Sequence, residues 1–243
     1  MEVGRVATLA ALALANLPVR PFRVRETIRL IGFIGVDSLP IVLLSGLFTG
    51  AVFTVESYEA FRLFGAQGLV GGTVGVALTR ELAPTLTGLL VAGRAGSALA
   101  AELGSMRVTE QIDALHAMAV DPVNYLVKPR VIAATLSVPL LTALFDAVGI
   151  AGSYAVAHWE LHLSDPEFWI RLRAWVDWAD IEAGLIKGTA FGFVIGVVAC
   201  SRGYHTEGGA RGVGLATTQA VVISSVTLLV LNYFIALALA EST

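Results

Sequence analysis

Arg80 and Glu81 stand side by side inside an apolar run that extends from about Leu69 to Ala101, and Arg94 follows in the same run. Ionised side chains at that depth are costly unless they are paired or face water. Their presence points to a polar task, a cavity wall that contacts a polar head group. A salt bridge across a helix interface is the competing reading. Successive helical residues point about 100° apart, so the two charges do not simply neutralise one another. Pro84 follows directly and loosens the helix beside them. The bulky Leu47, Phe53, Leu78 and Leu82 would supply greasy walls where helices splay apart.

A second group lies in the connection 102–121. Val108, Ile112, Leu115 and Ala119 form an apolar stripe that leaves Arg107, Glu110, Gln111, Asp113 and His116 on other faces, which predicts one amphipathic helix ended by Asp121-Pro122. Such a helix lies on a membrane or docks into a partner's groove. Its mixed, partly acidic face matches anionic lipid poorly and favours a protein partner. His158 and His162 stand four apart but lack a third ligand at suitable spacing, so they are read as interface polar residues and no metal is expected. Cys200 sits in an apolar segment and is read as packing. No GxxxxGK[ST] occurs, so this chain has no P-loop of its own, and no nucleophile and base stand in a recognisable arrangement.

The elements that must position these residues follow from composition. Of 243 residues, 56% are hydrophobic and 14% charged, and the mean hydropathy is +0.77, which makes this an all-α integral membrane protein. The net charge of -3 comes with no long basic run, so nucleic acid is not an expected partner. The run Val6 to Leu17 is too short to span; a cleaved signal competes with an in-plane helix over 1–29, which fits better because Glu2 weakens the leading region and the arginines follow the run. Five spans are expected at 30–55, 69–101, 131–157, 181–200 and 220–240. Lys and Arg concentrate at the N-terminus and in 102–130 and 201–218, while the other connections hold only Arg62, Arg171 and Arg173, so the N-terminus faces the cytoplasm and the C-terminus the far side. All four tryptophans fall in the third connection, where Ser164 to Glu167 matches a capping box and Phe168, Leu172, Trp175 and Val176 share a helical face, predicting a surface helix over 164–178. Small residues at Gly46 and Gly50, and at Gly88, Ala92, Gly96 and Ala100, set close packing against a neighbour in this chain or in a second copy.

The runs Thr79 to Pro84, Ala92 to Ala98, Ala101 to Leu115, Ala119 to Pro122 and Gly203 to Gly214, followed by Ala216 to Thr218, closely resemble the MlaE family of ABC transporter permeases. The resemblance covers nearly everything from about Ile34 to Tyr233. It implies a single permease domain over 1–243 that dimerises in the inner membrane of a double-membraned bacterium and pairs with two cytoplasmic ATPase subunits, which bind the ATP and Mg while this chain binds no cofactor. It further implies movement of phospholipid between inner and outer membranes, a ring of MCE proteins on the periplasmic side and, in some complexes, a STAS-domain protein. By position, Glu102 to Val120 would be the coupling helix, with Glu102, Arg107, Glu110, Gln111, Asp113 and Leu115 toward the ATPase. Arg80 and Glu81 would line the lipid cavity at the dimer interface. Two other classes remain at this point: an ion-coupled carrier in which Glu81 takes up a proton, and a membrane scaffold without transport. The first commonly shows internal repeats, which this chain lacks, and the second leaves Arg80 and Glu81 unexplained.

Overall fold

The computed structural model describes residues 23–240 together with Gly4 and Thr8. The run 6–17, read as an in-plane helix, lies outside the described residues apart from Thr8. The described chain holds helices α1 Val24–Ile34, α2 Leu39–Arg62, α3 Gln67–Val108, α4 Gln111–Ala117, α5 Lys128–Trp159, α6 Asp165–Trp175, α7 Trp178–Tyr204 and α8 Gly209–Ala240, and no strand. Five segments are long and apolar enough to cross a membrane. The first expected span is corrected: 30–55 is not one helix. Leu30 and Ile34 belong to α1, whose chain turns through a short 3-10 segment, Val36–Ser38, before α2 begins. At 24 residues α2 is about 36 Å long, enough for a bilayer core of about 30 Å.

Two compact units divide the chain, and α3, α5 and α7 each contribute residues to both. The first contains α1, α4, α8 and residues 88–138 and 189–204 of the other helices. Its close packing answers the question left by the small-residue repeat. A methyl at Gly88 would come within 3.2 Å of Leu228 and Phe191, one at Gly96 within 3.3 Å of Ile195, and Ala92 is wholly buried. That stripe of α3 therefore packs on α7 and α8 of the same chain. A second cluster joins Leu103, Ile112, Leu126, Val131 and Cys200, so Cys200 is a core residue.

In this unit α1 is pinned at both ends. Arg23 stacks over the Tyr125 ring at 3.7 Å and donates to the Tyr125 carbonyl. Arg94 donates to the Phe33 carbonyl at 3.0 Å and to Ser38 Oγ at 2.9 Å, pairs with Asp37 at 3.4 Å, and lies over the Phe33 ring. The third intramembrane charge thus has a structural task. Charge-assisted hydrogen bonds are worth roughly 1.5 to 3 kcal/mol each, so Arg94→Met should lower thermal stability by about 2 kcal/mol and speed proteolysis at 34–38. Glu26→Gln, which removes only an exposed 3.8 Å pair, should leave both unchanged. Equal behaviour of the two variants in a protease time course would refute the pinning role.

The second unit contains α2, α6 and residues 67–87, 139–159 and 178–188. Gly46 and Gly50 of α2 face Phe145 and Gly149 of α5, and Gly152 of α5 faces the Leu47 carbonyl, close enough that no side chain fits between. Thr54 Oγ1 shares a 2.6 Å hydrogen bond with Ser153 Oγ across the same contact. At the other edge, Gly71, Gly72 and Gly75 at the start of α3 form a bed for Phe168, Trp175, Leu172 and Val176 of α6, the face that the periodicity identified. The expected capping box does not form. Ser164 makes no side-chain cap, because Glu167 turns away from it and rests its carboxylate on Gly68.

Candidate functional site

Within the second unit α3 departs from the α pattern where its charges sit. Residues Leu78–Leu82 form a π turn that carries Arg80 and Glu81 just before Pro84. Pro84 has no N–H to offer the Arg80 carbonyl four residues back, and a bulge of this kind is a common way to absorb the defect. The orphaned carbonyl is satisfied from another helix: Lys187 Nζ donates to it at 2.9 Å. The same ammonium lies 2.6 Å from Glu81 Oε1. Arg80 Nε in turn donates to Asp180 Oδ1.

Asp180 sits in the first turn of α7, where its other oxygen accepts the Asp177 N–H at 2.9 Å and its charge opposes the positive helix end. Lys187 follows seven residues later, two turns on and on the same face. The four formal charges cancel. The α7 members are sealed, with the Asp180 and Lys187 side chains each 2% exposed, while Glu81 and Arg80 are 46% and 54% exposed. The result is two half-buried ion pairs with their α3 ends open and their α7 ends locked. Such a set can hold a polar group that carries both signs of charge without importing net charge into the membrane.

The predicted wall residues divide. Leu47 is exposed along with its α2 neighbours Ile41, Leu44, Phe48 and Val52, and Leu82 and Phe53 are partly buried. A shallow apolar groove of about 590 Å³ follows Ile41, Leu44 and Phe48. Leu78 is a correction: it is wholly buried, 3.4 Å from where a Gly149 methyl would stand, and lines no open surface. Asp180 and Lys187 were missed. The available signal was a lysine inside an apolar run, seven residues after an aspartate at its edge.

The connection 102–121 is also corrected. It is not one helix: α3 ends at Val108, Glu110 takes a left-handed backbone (φ 60°), and α4 covers only Gln111–Ala117 before Ala119 turns left-handed again. The four-residue stripe breaks with it, since Ile112 is buried and Leu115 packs on the same cluster while Val108 and Ala119 are exposed. Arg107 and Asp113 close the turn at 2.5 Å, and Gln111 donates to Thr109 at 2.9 Å. Glu102 holds the buried Arg130 at 2.8 Å, and this carboxylate is committed to the fold. Glu110 and Gln111 stay exposed at the tip. His158 accepts no role as a ligand here; its Nδ1 lies 2.6 Å from Asp165 and its ring stacks on Tyr154.

Comparison with known proteins bears on this arrangement. The chain is 41% identical over 234 residues to the "Probable ABC transporter permease protein" of Rickettsia typhi, covering 96% of this chain and 90% of the relative. It is 41% identical over 204 residues to the "Intermembrane phospholipid transport system permease protein MlaE" of Haemophilus influenzae, covering 83% and 78%. The "Protein TRIGALACTOSYLDIACYLGLYCEROL 1, chloroplastic" of Arabidopsis thaliana is 40% identical over 216 residues, covering 86% and 60%. The model of the family Permease MlaE matches residues 27–238, a span that takes in both ion pairs and the stapled turn. This chain of five membrane-crossing helices, a non-enzymatic permease subunit, belongs to the MlaE family of ABC transporter permeases.

Proposed function

We propose that this permease moves phospholipid between the inner and outer membranes of a double-membraned bacterium, as one of two copies in the inner membrane, energised by a cytoplasmic ATPase pair that binds the ATP and Mg. The observation that carries the reading is the pair of half-open ion pairs, Arg80 with Asp180 and Glu81 with Lys187. A zwitterionic or anionic head group meets both signs of charge there, and the exposed apolar face of α2 suits acyl chains. The printed name of the Haemophilus relative agrees with this substrate. Pairing of Glu81 with a buried ammonium disfavours a proton-carrying role, because a carboxylate held beside a cation keeps its charge.

The same reading puts the turn around Glu110 in the cytoplasm, seated in the ATPase, with MCE proteins and, in some complexes, a STAS-domain protein completing the assembly. Its support is the Lys and Arg asymmetry between connections and the exposed, rigidly closed tip. The test is co-purification. Glu110→Arg with Gln111→Glu should weaken capture of the ATPase subunit by about tenfold or more, the effect of reversing charge in a docked contact. Phospholipid extracted with the wild-type protein should be detected by mass spectrometry. Retained ATPase capture in the variant, or labelling of position 110 from the periplasmic side, would sink the coupling role, and an absence of bound phospholipid would sink the substrate.

A further inference from the structure

A separate polar cavity of about 170 Å³ opens where α7 ends and α8 begins, lined by Ser201, Arg202, His205, Glu207, Leu215 and Gln219. Because it lies at the connection between two membrane-crossing helices, it sits at the edge of the bilayer whichever way the chain is oriented. Its volume is several times the roughly 30 Å³ that one water occupies in the liquid. The lining is organised. Arg202 Nη1 donates to Gln219 Oε1 at 3.3 Å, which brings the guanidinium and the side-chain amide together. The His205 ring is fixed by a 2.9 Å bond between its Nδ1 and the Ser201 carbonyl; a carbonyl only accepts, so Nδ1 carries the proton and the ring cannot turn freely. Thr206 anchors the loop by donating to the Arg202 carbonyl at 3.0 Å. Gly212, on the cavity wall, lies so close to the Glu207 carbonyl that any methyl there would collide with it. Gly208 and Gly209 both take positive φ, 85° and 66°, which lets the chain turn tightly into α8.

The charges are of both signs, a guanidinium and a carboxylate on opposite members of one small cavity. Beyond its mouth the surface turns apolar: Leu215, Val222, Val226 and Leu229 follow one another on α8 and are 52% to 56% exposed. A ligand matched to this arrangement has a phosphate for Arg202 and Gln219, a nearby ammonium for Glu207, and an apolar tail for α8. The geometry points to a binding site for a phosphate ester bearing a cationic amine, the head group of a zwitterionic phospholipid of the ethanolamine type. This site is distinct from the ion pairs of the second unit and does not require the transport reading, so failure here leaves that reading standing.

Hydrogen exchange on the full-length protein tests it. In nanodiscs of phosphatidylethanolamine the amides of 203–213 should exchange about tenfold more slowly than in discs of phosphatidylglycerol, the effect expected of a charge-assisted contact. In phosphatidylglycerol discs, soluble O-phosphoethanolamine at millimolar concentration serves as the second arm. Protection from it identifies a free phosphoamine as a sufficient ligand, and protection only by the lipid identifies the membrane as the source. Arg202→Gln and Gln219→Ala should each abolish the difference with the melting temperature retained, and Glu207→Gln should erase the preference for the amine lipid. Equal exchange in both lipids with no response to the soluble compound overturns the proposal. So does protection that persists in both Arg202→Gln and Gln219→Ala.

Discussion

Lys187→Met is expected to be the most damaging single substitution in this chain that leaves the backbone untouched. One ammonium satisfies two acceptors, the Glu81 carboxylate and the carbonyl that Pro84 cannot reach, and its own side chain is sealed. Removing one partner of a buried pair costs about 3 to 5 kcal/mol, because the charge left behind is uncompensated. For a chain of this size that corresponds to a fall in melting temperature on the order of 10 °C in detergent. Phospholipid transport should fall with it. The diagnostic is the double variant Glu81→Gln with Lys187→Met, which removes both charges and should recover at least half of the lost stability. Transport should not recover with it, since the head-group contact is gone. If the double variant is no more stable than Lys187→Met alone, the pair does not couple as the geometry says.

Gly50→Val should be comparably severe for a different reason. A methyl at Gly50 would overlap the carbonyl of Gly149, and neither atom belongs to a side chain that can swing away. The only relief is separation of α2 from α5, which also loosens Gly46 against Phe145, Gly152 against Leu47 and the bond between Thr54 and Ser153. Overpacking in an ordinary core costs about 1 to 3 kcal/mol, and a collision between two backbones belongs at or above the top of that range. Gly32→Ala is the control. Gly32 lies inside α1 with nothing within 4 Å of the added methyl, so alanine should be neutral or stabilise by up to about 1 kcal/mol. Thermal unfolding of the two variants side by side checks the claim; a Gly50→Val protein as stable as Gly32→Ala would refute it.

The spans were legible because apolar length is a direct consequence of bilayer thickness, and α6 was legible because Phe168, Leu172, Trp175 and Val176 repeat at helical period over a bed of glycine. The unusual status of Arg80 and Glu81 was legible from depth alone. Their partners were not. Asp180 and Lys187 lie about a hundred residues away, and nothing local ties a charge on one helix to a charge on another. The break at Glu110 was hidden for a related reason. A left-handed glutamate has no sequence signature, and it is held by the contact of Arg107 with Asp113 and by burial of Ile112, while the apolar stripe through Val108 and Ala119 argued for an unbroken helix. The elbow before α2 went unread because Gly35 and Asp37 sit inside an otherwise apolar stretch, and it is Arg94 that makes the turn worth its polar groups.

The two π turns of α3, Leu78–Leu82 and Ala92–Gly96, bear on how this helix tolerates change in length. Each carries one surplus residue relative to a regular winding, so each advances the azimuth of everything after it by about a quarter turn. Excising a single residue from either would let the rod wind evenly and would rotate the downstream faces out of phase with their neighbours. A one-residue deletion there is thus a frame error for the whole remaining helix, more harmful than exchanging any uncharged side chain it contains.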